Sequence, residues 1–321
     1  MTSWEGDSPL AATADRLLGR GHPRAAVALV TPQGSATARR GVPEESDFEI
    51  GSISKTITGM LYRESIELGR VAPTTVLAEL LPLDGHGALE RVTLEALATH
   101  RSGLPRLPPG MHPMRRSWRL WTRGENPYGD TLAELLAQCR GLKVGAPRGR
   151  YSNLGFQLLG HAVASAAGST YVELLRSRLG PGFHAPRTAA ELLPSSLLGV
   201  SRGGRPREAW TGEAIAPAGG IRAGIGTMRA LLERILDGSA PGLSALDPDT
   251  GYAPGVRIGA GWITIGRDGR SLTWHNGGTG GFRSWIGVDR AARTGAVVLT
   301  ACERSVDRAG FRLLGQHAPS S

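Results

Sequence analysis

The feature that most constrains this 321-residue chain is where its hydrophobic period changes. Apolar residues alternate near the start. There "AAVALV" (Ala25 to Val30) and "SATARR" (Ser35 to Arg40) flank the turn residues Thr31-Pro32-Gln33-Gly34, the pattern of an antiparallel hairpin. Alternation returns only after about Gly255, where "GAGWITIG", "SLTWHN", "RSWIGVD" and "GAVVLTA" read as four consecutive antiparallel strands. Between these ends the period is helical. A helix starting near Ser54 carries Ile57, Met60, Leu61 and Leu68 and stops at Gly69, and "TLEALATH", "TLAELLAQC", "LGFQLLGHAVASAAG" and "YVELLRSRLG" follow. Helices over Leu10 to Leu18 and Val306 to Leu314 bracket the chain. The expected fold is α/β (α+β): one antiparallel sheet built from both chain ends and flanked by helices, residues 1–70 and 206–321, with a mostly helical domain, 71–205, inserted between them.

Composition removes several functions. The net charge of +9 suits a nucleic-acid partner, but the arginines are scattered among acids, with no basic run beyond Arg39-Arg40 or Arg115-Arg116, and aromatics do not interleave with them. No stretch approaches the roughly 20 apolar residues of a membrane span. The N-terminus lacks a basic start followed by an apolar core, so a cytoplasmic protein is expected. Cys139 and Cys302 read as two buried, reduced thiols. The eight histidines show no ligand spacing, no G-x-S-x-G elbow is present, and neither metal nor cofactor is expected.

Of the 37 basic residues only Lys55 and Lys143 are lysines. Lys55 stands three residues after Ser52 in "FEIGSISKTITG", one helical turn away on the same face. A helix N-terminus favours a developing alkoxide and disfavours an ammonium, which suits a serine nucleophile and a lysine base. An ordinary N-cap with a solvated lysine fits the same letters. "RYSNLGFQLLG" offers Tyr151 before a helix, either aimed into a cleft, where nearby cations favour phenolate and proton transfer, or simply beside a helix cap at Ser152 or Asn153. In "LTWHNGGTGGFRSWIGVD" a strand reaching His275-Asn276 runs into glycines. The spacing is not that of a phosphate loop, and the segment suits an edge strand offering an N–H to a substrate carbonyl.

S-x-x-K, Y-x-N and this strand triad, in this order, resemble the serine β-lactamase and penicillin-binding DD-peptidase superfamily, specifically its class C-like branch. "LATHRSGLP" (Leu97 to Pro105) and "APAGGIRAGIGTM" (Ala216 to Met228) are similar to further segments of that branch, so the resemblance covers nearly the whole chain. It implies Ser52 as acylated nucleophile, Lys55 as base or proton shuttle, Tyr151 as proton carrier, Asn153 bonded to Lys55 or to a substrate amide, and an oxyanion hole from the N–H groups of Ser52 and Gly278. His275 and Asn276 fall at substrate-binding positions, while His100 and Ser102 are expected to stabilise the helical domain. The strand triad departs from the family: His275-Asn276-Gly277 stands where penicillin-recognising members carry lysine, then threonine or serine, then glycine. A histidine that is neutral near pH 7 binds a β-lactam carboxylate weakly.

The resemblance implies a serine hydrolase that cleaves a small ester or amide. A transacylase passing the acyl group to an amine or alcohol, and a catalytically silent ligand-binding scaffold, are the alternatives. Arg106 to Gly129 is rich in proline, arginine and tryptophan and is expected to lie over the cleft, either as a lid with Arg115, Trp118, Arg119 and Trp121 at the substrate, or as a solvated loop.

Overall fold

The computed structural model describes residues 3–111, 119–120, 122–267 and 269–316. Strands β1 (Trp4–Gly6), β2 (Ala25–Thr31) and β3 (Gly34–Arg40) come from the start of the chain. Strands β4 (Asp47–Glu49), β5 (Phe183–His184) and β6 (Arg222–Gly224) form a small sheet of order β4-β6-β5. The remainder are β7 (Thr250–Ala253), β8 (Val256–Ile258), β9 (Ile263–Arg267), β10 (Arg270–Gly278), β11 (Arg283–Asp289) and β12 (Thr294–Thr300). The large sheet runs β1-β3-β2-β12-β11-β10-β9-β8-β7, all antiparallel, so the chain ends meet where β2 pairs with β12, Val27 opposite Val298.

These two strands are apolar almost throughout because the sheet is covered on both faces. Ala25, Val27 and Leu29 pack with α1 (Ser8–Leu18) on one side. Ala26, Ala28 and Val30 join the larger core on the other, which includes Ile53, Ile57 and Met60 of the segment leading into and along α2 (Ser54–Glu67). The middle of the chain supplies α3 (Leu94–Ala98), α4 (Leu132–Gln138), α5 (Asn153–Ala166) and α6 (Tyr171–Leu179), the last two of which follow side-chain caps at Ser152 and Thr170. Then α7 (Ile225–Asp237) packs on β2 and β12, and α8 (Asp307–Gly315) packs on β11 and β12, next to α1.

Six short strands go beyond the sequence reading: β1, β4, β5, β6, β7 and β8. Each has two to four residues, too few to display an alternation. Strand β10 also continues through Asn276 to Gly278, past the expected end of "SLTWHN". Both cysteines are free and buried. Among the described residues no helix is long and apolar enough to cross a membrane.

Two features hold the segment that precedes Ser52. Helix α2 is buried on nearly all sides, and it approaches the 260 region so closely that a Cβ on Gly59 would lie 1.9 Å from the Ala260 carbonyl oxygen. Strand β4 is anchored by Arg222, fully buried, whose Nε lies 2.5 Å from Asp47 Oδ1 and whose Nη1 lies 3.0 Å from Glu49 Oε1. Burial opposes ionisation of Asp47, but the His184 hydrogen bond and the Arg222 charge outweigh it and its pKa falls. Glu49 is raised, because burial prevails over the same arginine. Removing Arg222 would strand buried carboxylates three and five residues from Ser52, a costly arrangement.

Candidate active site

After β4 the chain turns through Gly51, at φ +53°, into the short helical turn Gly51–Ile53 and then α2. The turn separates the two serines. Ser54 is fully buried, and its Oγ accepts from the Ile221 N–H at 3.2 Å, whereas Ser52 lines an open cavity of about 780 Å³. Lys55, one turn on, is completely buried. Its Nζ donates to Ser52 Oγ at 3.1 Å and to the Ala218 carbonyl at 2.5 Å. No carboxylate among the described residues pairs with it. Burial, and after it the positive Arg106, hold the Lys55 pKa well below the ordinary lysine value, which favours the neutral amine.

Tyr151 is fixed from both neighbours. The Arg150 N–H donates to the His100 carbonyl at 2.8 Å, and the Ser152 N–H donates to His100 Nδ1 at 3.2 Å. The His100 ring lies 4.6 Å from that of Tyr151. Ser152 caps α5 through the Gly155 N–H at 2.9 Å and donates to the Pro105 carbonyl at 2.7 Å. The capping and cleft readings of "YSN" therefore both hold: Ser152 caps, and Tyr151 lines the cavity with Lys55 Nζ 4.9 Å from its ring centre. His100 has φ +57°, which for a buried non-glycine residue marks a backbone held by its surroundings. Its placement around Tyr151 goes beyond the expected role in the helical domain.

Two expectations about this loop change. Burial raises the Tyr151 pKa and outweighs the hydrogen bond with Ser52 and the Arg106 charge, so the group is a phenol, not the phenolate that nearby cations were expected to favour. Asn153 donates from Nδ2 to the Tyr128 hydroxyl at 3.4 Å and leaves Oδ1 buried without a partner. Of the two partners expected for Asn153, Lys55 or a substrate amide, Lys55 bonds instead to the Ala218 carbonyl.

The opposite wall is β10. Its pleat turns His275 inward, 2% exposed, and turns Asn276 to the other face, where Nδ2 donates to Asp307 Oδ1 at 3.1 Å. Asn276 thus lines the cavity rim with its amide tied to α8 and not aimed at Ser52. Gly277 and Gly278 let the strand press on the nucleophile turn. A Cβ on Gly277 would lie 2.1 Å from the Ile50 carbonyl oxygen, and one on Gly51 would lie 2.6 Å from Gly278 N. Ser284 of β11 locks the contact by donating to the Ile50 carbonyl at 2.7 Å.

His275 is pushed down to about 4, first by burial and then by Lys55, against the bond between its Nδ1 and the Asn276 carbonyl. Burial also lowers His22 to about 4 and places His100 well below its ordinary value. In the unfolded chain His22 and His275 take a proton below about pH 6.5, while in the folded chain they do not until near pH 4. Stability present above pH 6.5 is therefore lost as the pH falls through that window, by up to roughly 3 kcal/mol for a group shifted this far. The thermal midpoint should drop between pH 6.5 and 4.5, and His22→Asn should flatten that drop. A midpoint flat across the window would contradict it.

Arg106, first residue of the segment expected over the cleft, lines the cavity, whereas Arg207, Trp210, Arg283 and Glu303 were missed. In a chain this rich in arginine no local signal separates Arg207 and Arg283 from the rest. Of the four lid residues, Arg115, Trp118 and Trp121 lie outside the described residues. Arg119 lies 3.7 Å from Glu125 and lines a small separate hollow with Tyr128, not the Ser52 cavity. A larger hollow of about 1050 Å³, bounded by His161, Tyr171 and Glu213, contains none of Ser52, Lys55 or Tyr151.

The family model described as Beta-lactamase matches residues 10–317. Among curated proteins, the D-alanyl-D-alanine-carboxypeptidase/endopeptidase AmpH of Escherichia coli (strain K12) is 28% identical over 138 residues, 42% of this chain and 34% of that protein, so the match spans about a third of the relative's length. Among solved structures, a class C beta-lactamase superposes with TM-score 0.81 at 18% identity, covering 98% of both chains. The D-alanine carboxypeptidase AmpC from Burkholderia cenocepacia superposes with TM-score 0.79 at 20% identity, covering 96% of this chain and 99% of that one. At such identities these structures establish the shared fold. With its match running almost end to end, the chain belongs to the beta-lactamase family of serine hydrolases.

Proposed function

We propose that this protein cleaves a small ester or amide through an acyl-enzyme on Ser52. The observation that carries this reading is Lys55, a fully buried lysine with no described counter-ion, 3.1 Å from the hydroxyl of a cavity-lining serine. With one N–H given to Ala218, rotation about the Cε–Nζ bond exchanges the N–H that meets Ser52 for the lone pair that takes its proton. Ser52 Oγ attacks the carbonyl carbon as its proton passes to Lys55 Nζ, and the N–H groups of Ser52 and Gly278 stabilise the oxyanion. As the tetrahedral species collapses, the Tyr151 phenol protonates the departing oxygen or nitrogen and is reprotonated from the Lys55 ammonium. Water then attacks the acyl carbon, losing its proton to Lys55, which returns it to Ser52 Oγ. A silent scaffold has no use for a buried neutral amine beside a serine, since desolvating an unpaired lysine costs stability.

Intact-mass analysis after exposure to a panel of activated esters, amides and β-lactams tests this. An acyl adduct should map to Ser52, vanish in Ser52→Ala and persist in Ser54→Ala. An adduct that survives in Ser52→Ala overturns the assignment. Adding amines or alcohols at millimolar concentration separates hydrolysis from transfer: capture of nearly all the acyl group by one acceptor would replace hydrolase with transacylase.

Turnover of β-lactams is expected to be poor. His275 is neutral, buried and bonded at Nδ1, so it offers no cation to a β-lactam carboxylate. A missing charge-assisted bond of about 2 kcal/mol corresponds to roughly 30-fold in kcat/KM. Nitrocefin should be hydrolysed slowly beside a p-nitrophenyl ester, and His275→Lys should narrow the gap. Efficient penicillin or cephalosporin hydrolysis by the unaltered protein would show the strand position to be irrelevant.

A further inference from the structure

Five fully charged side chains line the Ser52 cavity: Arg106, Arg207, Arg283, Glu303 and Asp307. Four are committed within the protein. Arg283 Nη1 donates to the Thr279 and Phe282 carbonyls, both at 2.7 Å, and its Nη2 lies 3.3 Å from Glu303 Oε1. Arg207 donates to the Leu120 carbonyl at 2.6 Å and lies 3.9 Å from Glu303 Oε2. Asp307 accepts from Asn276.

Arg106 differs. It is exposed, its guanidinium carbon stands 5.5 Å over the Tyr151 ring, and no carboxylate among the described residues is paired with it. In the sequence, residues 112–118, "HPMRRSW", contain no acid either. A guanidinium resting on an aromatic face keeps its N–H edges available for a planar oxyanion, and an uncompensated cation at a cavity wall concentrates anions there.

Resting on the acyl-transfer reading above, we propose that Arg106 is a specificity residue that binds an anionic group of the substrate, a carboxylate or similar oxyanion, on the Tyr151 side of the cavity. Of the other basic groups at the cavity, Arg207 and Arg283 are bonded within the protein, His275 is pushed down to about 4 and Lys55 well below the ordinary lysine value, so none of them matches Arg106 as a partner for that anion. The bound anion has a second effect. Arg106 is one of the two causes that depress Lys55, so neutralising its field when substrate binds makes Lys55 a stronger base at the moment it is needed.

Two matched pairs of esters test the assignment and show which half of the substrate bears the charge: p-nitrophenyl butyrate against the mono-p-nitrophenyl ester of adipic acid, and phenyl acetate against 3-carboxyphenyl acetate. In the unaltered enzyme one anionic ester should exceed its neutral partner in kcat/KM. Arg106→Gln should lower that anionic-to-neutral ratio by about 10- to 100-fold, the range of a charge-assisted bond. Arg106→Lys should restore part of it. In Arg106→Gln the acidic limb of the pH–rate profile should also move to higher pH, because losing the neighbouring cation favours the Lys55 ammonium. A ratio unchanged by Arg106→Gln, or no preference for either anionic ester, overturns the proposal. If none of the four esters acylates Ser52 by intact mass, the acyl-transfer reading itself has failed and the assignment falls with it, a result distinct from acylation without anionic preference.

Discussion

Arginine in place of Lys55 should lower kcat/KM for an activated ester by about 10²- to 10⁴-fold, the usual loss when acid–base catalysis is removed. The substitution retains a cation and hydrogen-bond donors, but a guanidinium does not give up its proton in a protein. Lys55 is held deprotonated by complete burial and the Arg106 charge, so the unaltered enzyme should be active well below the ordinary lysine pKa, and the variant inactive at every pH. Because the larger head must enter a fully buried site, Lys55→Met serves as a second variant, similar in length and uncharged. It should fall in the same range while its thermal midpoint holds. Activity within tenfold in Lys55→Arg would mean that the residue acts through its charge, and the proton would then need another acceptor.

How far the letters reached can be judged residue by residue. Ser52 and Lys55 were legible because S-x-x-K at a helix start fixes a one-turn geometry that folding does not alter. The two-ended sheet was legible because β2, β10, β11 and β12 are long enough to display their period. What failed depends on tertiary neighbours. The Ala218 carbonyl that takes the Lys55 bond is a backbone atom in the turn Ala216–Gly220, which no pattern of side chains announces. The charge state of Tyr151 follows from the depth of its hydroxyl, which outweighs the Ser52 bond and the Arg106 charge and is a consequence of packing. Asn276 shows what alternation adds: residues adjacent on a strand point to opposite faces, so although His275 and Asn276 both border the cavity, the Asn276 amide is turned to Asp307.

Gly51→Ala should reduce kcat/KM by about 10²- to 10³-fold, as when an oxyanion donor is displaced, while the protein stays folded. Two effects act at this residue. Its φ of +53° lies in the left-handed region, where an alanine costs about 1 kcal/mol. That strain alone is too small to unfold a domain of ordinary stability. The larger effect is steric: the added Cβ would stand 2.6 Å from Gly278 N, with the Gly278 carbonyl carbon and oxygen at 3.1 Å. These are backbone atoms of a central strand, held by pairing to Arg283 and by the Ser284 bond to the Ile50 carbonyl. They cannot rotate away as a side chain would, so the turn carrying Ser52 must separate from β10. A shift of about 1 Å there moves the two oxyanion donors off a shared oxygen, and misplacement of that order is enough for a 10²-fold loss. The readout is a joint one, thermal midpoint and near-ultraviolet circular dichroism alongside kcat/KM. A variant that keeps its fold and nearly all its activity would show that Gly278 is not the second oxyanion donor, and the search would move to another N–H facing Ser52.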